Sequence, residues 1–81
     1  MSMMLHIISP IRSTTIEIEW IELNTPVGNF IIKQGHIPTI LTLTPGAPCI
    51  FFGSDGKQET LKPQSALAEI SRSAVTLFMQ D

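Results

Sequence analysis

The side chains in this chain that could move a proton, attack an electrophile or hold a metal are few: His6, His36, Cys49, two aspartates and five glutamates. Covalent or acid–base chemistry needs a nucleophile, a base and an orienting group within reach of one another, and no spacing here supplies that pattern. The two histidines stand far apart with no paired cysteines between them, so a metal site would require an ion that bridges His6 and His36. Glu17, Glu19 and Glu22 fall on one extended stretch, with Glu17 and Glu19 on a shared face; alternating carboxylates on a half-buried strand form its solvated side. Cys49 precedes Ile50, Phe51 and Phe52, the setting of a small buried hydrophobe rather than a nucleophile. A single cysteine also excludes an internal disulfide and fits a reducing compartment. No enzyme, cofactor or metal is expected, and the chemistry left to the chain is that of surfaces.

Those surfaces must be carried by strands. The stretch from Gly28 to Leu41 pairs a short apolar run, Phe30-Ile31-Ile32, with a break at Gln34-Gly35-His36 and a proline at Pro38 that forbids helix. Gly28 permits positive φ just before the run. His36 lies at the break, where an imidazole is either held by backbone carbonyls or offered to a partner.

The whole chain has 81 residues, enough for one small domain over 1–81. Hydrophobic residues make up 43% and charged residues 15%, against a usual charged share of about 25%, so part of the surface is expected to meet another protein. Net charge is −2, with Arg12, Lys33, Lys57, Lys62 and Arg72 scattered. No cationic stripe exists to neutralise phosphates, and nucleic acid is not an expected partner. The opening has no cationic leader region and its apolar run ends at Pro10, and nowhere do about 18 apolar residues run together, so no transmembrane segment is expected.

Strand signals fill the remainder. Leu5 to Ile8 is an apolar run closed by Ser9-Pro10, with a short return strand from Arg12 to Thr15. Ile16 to Leu23 begins with strict alternation, but its apolar series Ile18, Ile21, Leu23 skips a residue, which a β-bulge near Glu19-Trp20 explains. The bulge turns Trp20 away from the core as an exposed aromatic; without it, Trp20 is itself a core residue. Thr39 to Thr44 alternates as a half-buried strand, Pro48 must sit at a strand start or edge, and Gly53-Ser54-Asp55-Gly56 is a hairpin turn against which Lys57 to Lys62 pairs back. The last segment reads two ways. Leu67, Ile70, Ala74, Leu77 and Phe78 fit a helix over 65–79, whereas Ala66, Ala68, Ile70 and then Val75, Leu77, Met79 fit two strands around Ser71-Arg72-Ser73, and Val75-Thr76 favours the strands.

Several of these segments together resemble the epsilon subunit of F-type ATP synthases. Leu5 to Pro10 is similar to that family's first strand, Ile18, Ile21 and Leu23 to its V-x-x-V-x-L, and Gly28-Asn29-Phe30 with Gly35-His36-Ile37-Pro38 to its G-E-F and G-H-A-P segment. Leu43 to Gly46, Gly53 to Lys57, Ala68 to Ile70 and Val75 to Leu77 match further motifs, so the resemblance runs from about residue 4 to residue 80. Lys33-Gln34 departs from the family's Leu-Pro and makes the turn more polar, and Ser65-Ala66 replaces its Gly-Gly.

The resemblance implies an all-β fold, a small two-sheet antiparallel β-sandwich or flattened barrel of about eight to ten short strands. It also implies a non-catalytic rotor subunit of the central stalk, peripheral to the membrane on its cytoplasmic face, that couples ion translocation to ATP synthesis. Its partners would be the gamma subunit and the ring subunits. Carried over by position, Ser9 and His36 face the gamma subunit and Asn29 faces the ring; Trp20 joins the gamma contact on the bulge argument, and Asn29 and His36 are placed on turn tips at one end. The family continues into an inhibitory helical hairpin, which these 81 residues do not contain. A stand-alone interaction module built on the same fold is the alternative reading.

Overall fold

The structure, a computed structural model, describes residues 2–80. Those residues form eight strands: β1 (Met3–Ile8), β2 (Ser13–Thr25), β3 (Gly28–Ile32), β4 (Thr39–Thr42), β5 (Cys49–Gly53), β6 (Gln58–Leu61), β7 (Ala66–Ile70) and β8 (Ala74–Met79). The helix over 65–79 does not form. Ala66, Ala68 and Ile70 are buried while Leu67 and Glu69 are exposed, a period of two that only a strand produces.

β2 organises the molecule. The short return strand and the alternating segment expected from the sequence are one 13-residue strand, because nothing between Thr15 and Ile16 can turn the chain. Its first half, Ser13 to Ile18, pairs with β1, and its second half, Ile21 to Thr25, pairs with β3. β5 pairs with the other edge over Ile18 to Glu22, with a register shift between Ile18 and Trp20. That shift is the β-bulge the sequence calls for, and it bends β2 so that one strand serves two layers. The first layer runs β4-β7-β8-β1-β2 and the second runs β3-β2-β5-β6. A thickness of 19 Å beneath broad dimensions of 29 × 28 Å fits two packed sheets.

Every strand pair is antiparallel except β1 with β8, which is parallel. A wholly antiparallel sandwich was the expectation. Hairpins impose opposite directions on the neighbours they join, but β1 and β8 lie at opposite ends of the chain and no hairpin constrains them.

Met3, Leu5, Ile18, Ile21, Leu23, Ile32, Phe51, Val75 and Leu77 are among the side chains buried between the layers, and Trp20 is not one of them. Removing each such aliphatic side chain from water contributes about 1.5–3 kcal/mol. Cys49 is fully buried, and that burial pushes its thiol pKa up to about 11 from 9.0, as expected of an inert packing residue. Pro48 immediately precedes β5, where its missing donor is no loss.

The connection Lys33 to Pro38 passes from β3 in one layer to β4 in the other, and these two strands do not pair with each other. Gly35 makes the passage possible with φ of +89°, and its N–H donates to Arg72 O at 2.6 Å. Arg72 lies in the β7–β8 turn, where Ser73 O also accepts from Met4 N–H at 3.1 Å. The His36 segment, the β7–β8 turn and the start of β1 are thereby fastened together.

Candidate docking faces

Each layer has an outer side, and the register of the strands fixes what lies on it. On the first layer, cross-strand partners point the same way. Thr42, Leu67, Phe78, Ile8 and Ser13 therefore form one row; Ile40, Glu69, Thr76, His6 and Thr15 form the next; and Ala74, Met4 and Glu17 continue into a third. Met4, Ile8, Ile40, Leu67 and Phe78 are all large apolar side chains left exposed. His6 lies among them, its Nδ1 3.0 Å from Thr15 Oγ1.

The outer side of the second layer is built differently. Trp20 is half-buried and stacks on Phe52 with ring centroids 6.0 Å apart and planes 7° from parallel. The bulge turns Trp20 off the core as expected, yet the ring is partnered within the chain rather than standing free. Toward the other end of this face, Asn29 Nδ2 donates to Glu22 Oε2 at 2.8 Å and to Asn24 Oδ1 at 2.9 Å. Asn24 Nδ2 donates in turn to Pro48 O at 2.8 Å. Both amide hydrogens of Asn29 are used, and its own Oδ1 is the atom left for a partner.

The four residues singled out from sequence are not gathered in one place. Ser9 closes β1, and its hydroxyl locks the turn by donating to Arg12 O at 3.2 Å and accepting from Arg12 N–H at 3.3 Å. Ser71 does the same against Ala74 across the β7–β8 turn, a twin that the sequence reading passed over. His36 is half-buried and its Nδ1 donates to Ile37 O at 2.7 Å. A carbonyl can only accept, so Nδ1 carries the proton and Nε2 is the nitrogen available to a partner. Ser9 lies at one end of β1 and the His36 segment is fastened at the other, so the two border the first layer's face. Trp20 lies on the opposite face with Asn29.

Asn29 is also not on a turn tip: it is inside β3, paired with Asn24, and the tip beside it is Pro26-Val27. It sits at the opposite end of β3 from His36, so the two do not share an end of the molecule. Val27 and its counterpart Ile11 in the β1–β2 turn are each 83% exposed. The sequence reading missed both, along with the Leu67-Phe78-Ile8 row, because it followed the apolar residues that build a core.

No cluster of three or more His, Cys, Asp or Glu that could hold a metal occurs among the described residues. Among them there is also no helix long and apolar enough to cross a membrane. What the fold and its surfaces define is a two-layer β-sandwich with two unlike outer faces.

Solved structures carry the same fold. A chain of the Euglena gracilis mitochondrial ATP synthase, in a structure of its OSCP/F1/c-ring, superposes with a TM-score of 0.89 at 17% identity, covering 99% of this chain and 51% of that one. A chain of the Tetrahymena thermophila mitochondrial ATP synthase central stalk and c-ring gives 0.81 at 10% identity, covering 98% of this chain and 63% of that one. The chain thus spans between half and two thirds of the length of these neighbours. No protein-family model matches it, and neither does any curated protein. At these identities the likeness establishes the fold, the one implied by the sequence resemblance.

Proposed function

We propose that the chain, as one domain over residues 1–81, is a non-catalytic central-stalk subunit of a rotary ATP synthase, held between the gamma subunit and the membrane ring. In that role it transmits torque between them and lies peripheral to the membrane, on its cytoplasmic face. The observation that carries the reading is the exposed apolar face of the first layer. Leu67, Phe78 and Ile8 are contiguous across three strands, with Met4 and Ile40 beside them. A small monomer rarely leaves several large apolar side chains contiguous in water, and the broad side they lie on, 29 × 28 Å across, has room for one partner's share of a standard interface, about 800 Å².

Ser9 and His36 border that face and are assigned with it to the gamma contact. Asn29 is assigned to the ring, together with the exposed Val27 beside it. Trp20 shares Asn29's face and is reassigned from the gamma contact to the support of this second one. The fold of the neighbours, found in ATP synthase stalk and ring assemblies, supports the reading.

The test is co-purification with the gamma subunit. Wild type forms a stoichiometric complex that survives moderate salt, and Ile8→Asp with Phe78→Asp lowers its affinity by about 100-fold, or roughly 2.7 kcal/mol, without changing the fold. Absence of the complex at both low and moderate salt refutes the stalk reading and leaves a stand-alone interaction module.

A further inference from the structure

The apolar side of the first layer is not flat. Between Ile40 on β4 and Met4 and His6 on β1, the outward positions on β7 and β8 are Glu69, Thr76 and the small Ala74. The dip this leaves is a notch of about 550 Å³, lined by Pro38, Ile40, Glu69, Ile70, Ala74 and Thr76, among others. Leu67 and Phe78 occupy the next row of the same face. The walls of the notch are thus aliphatic, with one carboxylate and threonine hydroxyls among them.

Two further observations define what fits. Glu17 accepts a hydrogen bond from the Ser2 hydroxyl, Glu19 from Ser54 and Glu22 from Asn29. Glu69 is exposed and has no hydrogen-bond partner among the described residues. In addition, β1, β4, β7, β8 and the first half of β2 contain no Lys or Arg. The formally charged side chains of these strands are therefore the carboxylates Glu17 and Glu69, with His6 in the same row as Glu69 and Arg72 in the β7–β8 turn at the border of the notch.

We propose that the notch is an anchor pocket for an arginine side chain of a docking polypeptide, with Glu69 as its counter-charge. An arginine has the right two parts: an aliphatic stem to lie against Ile40 and Ala74, and a planar guanidinium that pairs with a carboxylate through two parallel hydrogen bonds. Its remaining N–H groups can be accepted by Thr76 Oγ1. A lysine offers a point charge without that fork. As an anchor for the gamma subunit, the pocket rests on the function proposed above; as an arginine pocket, it stands on the notch itself.

The test has two arms. In the first, the ¹⁵N-labelled full chain is titrated with the peptide acetyl-Leu-Arg-Leu-amide and with its citrulline counterpart, which keeps the shape and removes the charge. The arginine peptide is expected to move the amide signals of Ile40, Glu69, Ala74 and Thr76 and to bind at least tenfold more tightly than citrulline, and Glu69→Gln is expected to abolish the preference. Equal binding of the two peptides, no binding, or shifts centred on Trp20 and Phe52 would each overturn the pocket. In the second arm, Glu69→Arg is measured against the gamma subunit, with a loss of at least tenfold expected. An arginine-selective notch combined with unchanged or absent gamma binding keeps the pocket and overturns its use by that partner. Gamma binding without arginine selectivity overturns the pocket and leaves the stalk reading standing.

Discussion

The two broad sides of this sandwich solve the same problem in opposite ways. On the second layer most of the polar and aromatic groups are partnered within the chain: Trp20 stacks on Phe52, Asn29 donates to Glu22 and Asn24, and Asn24 donates to Pro48 O, while Ile31 stays 56% exposed. On the first layer Leu67, Phe78 and Ile8 form an exposed apolar row, and Glu69 has no hydrogen-bond partner among the described residues. A face whose groups are internally paired gains little from a partner, whereas an unpaired apolar face gains by leaving water. The residues most conspicuous in the sequence, a lone tryptophan and an asparagine in a motif, therefore already have partners within the chain.

Substitutions should separate the two sides. The largest effect expected is on binding: the loss with Ile8→Asp and Phe78→Asp, at nearly unchanged melting temperature. Trp20→Ala should act the other way, costing about 2 kcal/mol of stability through lost stacking and burial, or about 10 °C in melting temperature, with gamma affinity within threefold of wild type. Thermal melts and binding isotherms on the same variants read both quantities. A tenfold loss of affinity on Trp20→Ala would break the division and return this residue to the gamma contact.

A smaller effect belongs to the underside of the second layer. Cys49 has its pKa raised from 9.0 to about 11 by burial, so the folded state favours the neutral thiol. That stabilisation is complete below about pH 9 and declines as pH rises toward about 11, by roughly 1–2 kcal/mol. Denaturant melts between pH 8 and 11 should show a steeper alkaline loss for wild type than for Cys49→Ala; parallel slopes would mean that the thiol is not desolvated. Smallest of all, Asn29→Ala removes two exposed hydrogen bonds and is expected to cost less than about 1 kcal/mol. A much larger loss would show the Asn24–Asn29–Glu22 set to be structural in its own right.

Much of the architecture was legible. The bulge near Trp20 followed from a skipped residue in the Ile18, Ile21, Leu23 series, and it is where the β2–β5 register shifts. The Gly53 to Gly56 turn and the burial of Cys49 were also readable from local chemistry. Other features were not. The 65–79 segment satisfied helical and strand periodicities together, and only pairing of β7 with β4 and β8 decided between them. The alternation of β7 and β8 already placed Leu67 and Phe78 off the core, but nothing local aligns them with Ile8, since that needs the parallel register of β1 with β8.

Alone, the sequence determined that most of the chain is strand, where several of its turns fall and which residues of the alternating stretches face inward, because these depend on neighbours a few positions away. Tertiary structure alone decided which exposed residues share a side. It set Ser9 and His36 around one face and Trp20 with Asn29 on the other, and it assembled the notch beside Glu69 from β4 and the β7–β8 hairpin, which are about thirty residues apart in sequence. Cross-strand register joins residues tens of positions apart, and no local propensity encodes which of them will meet.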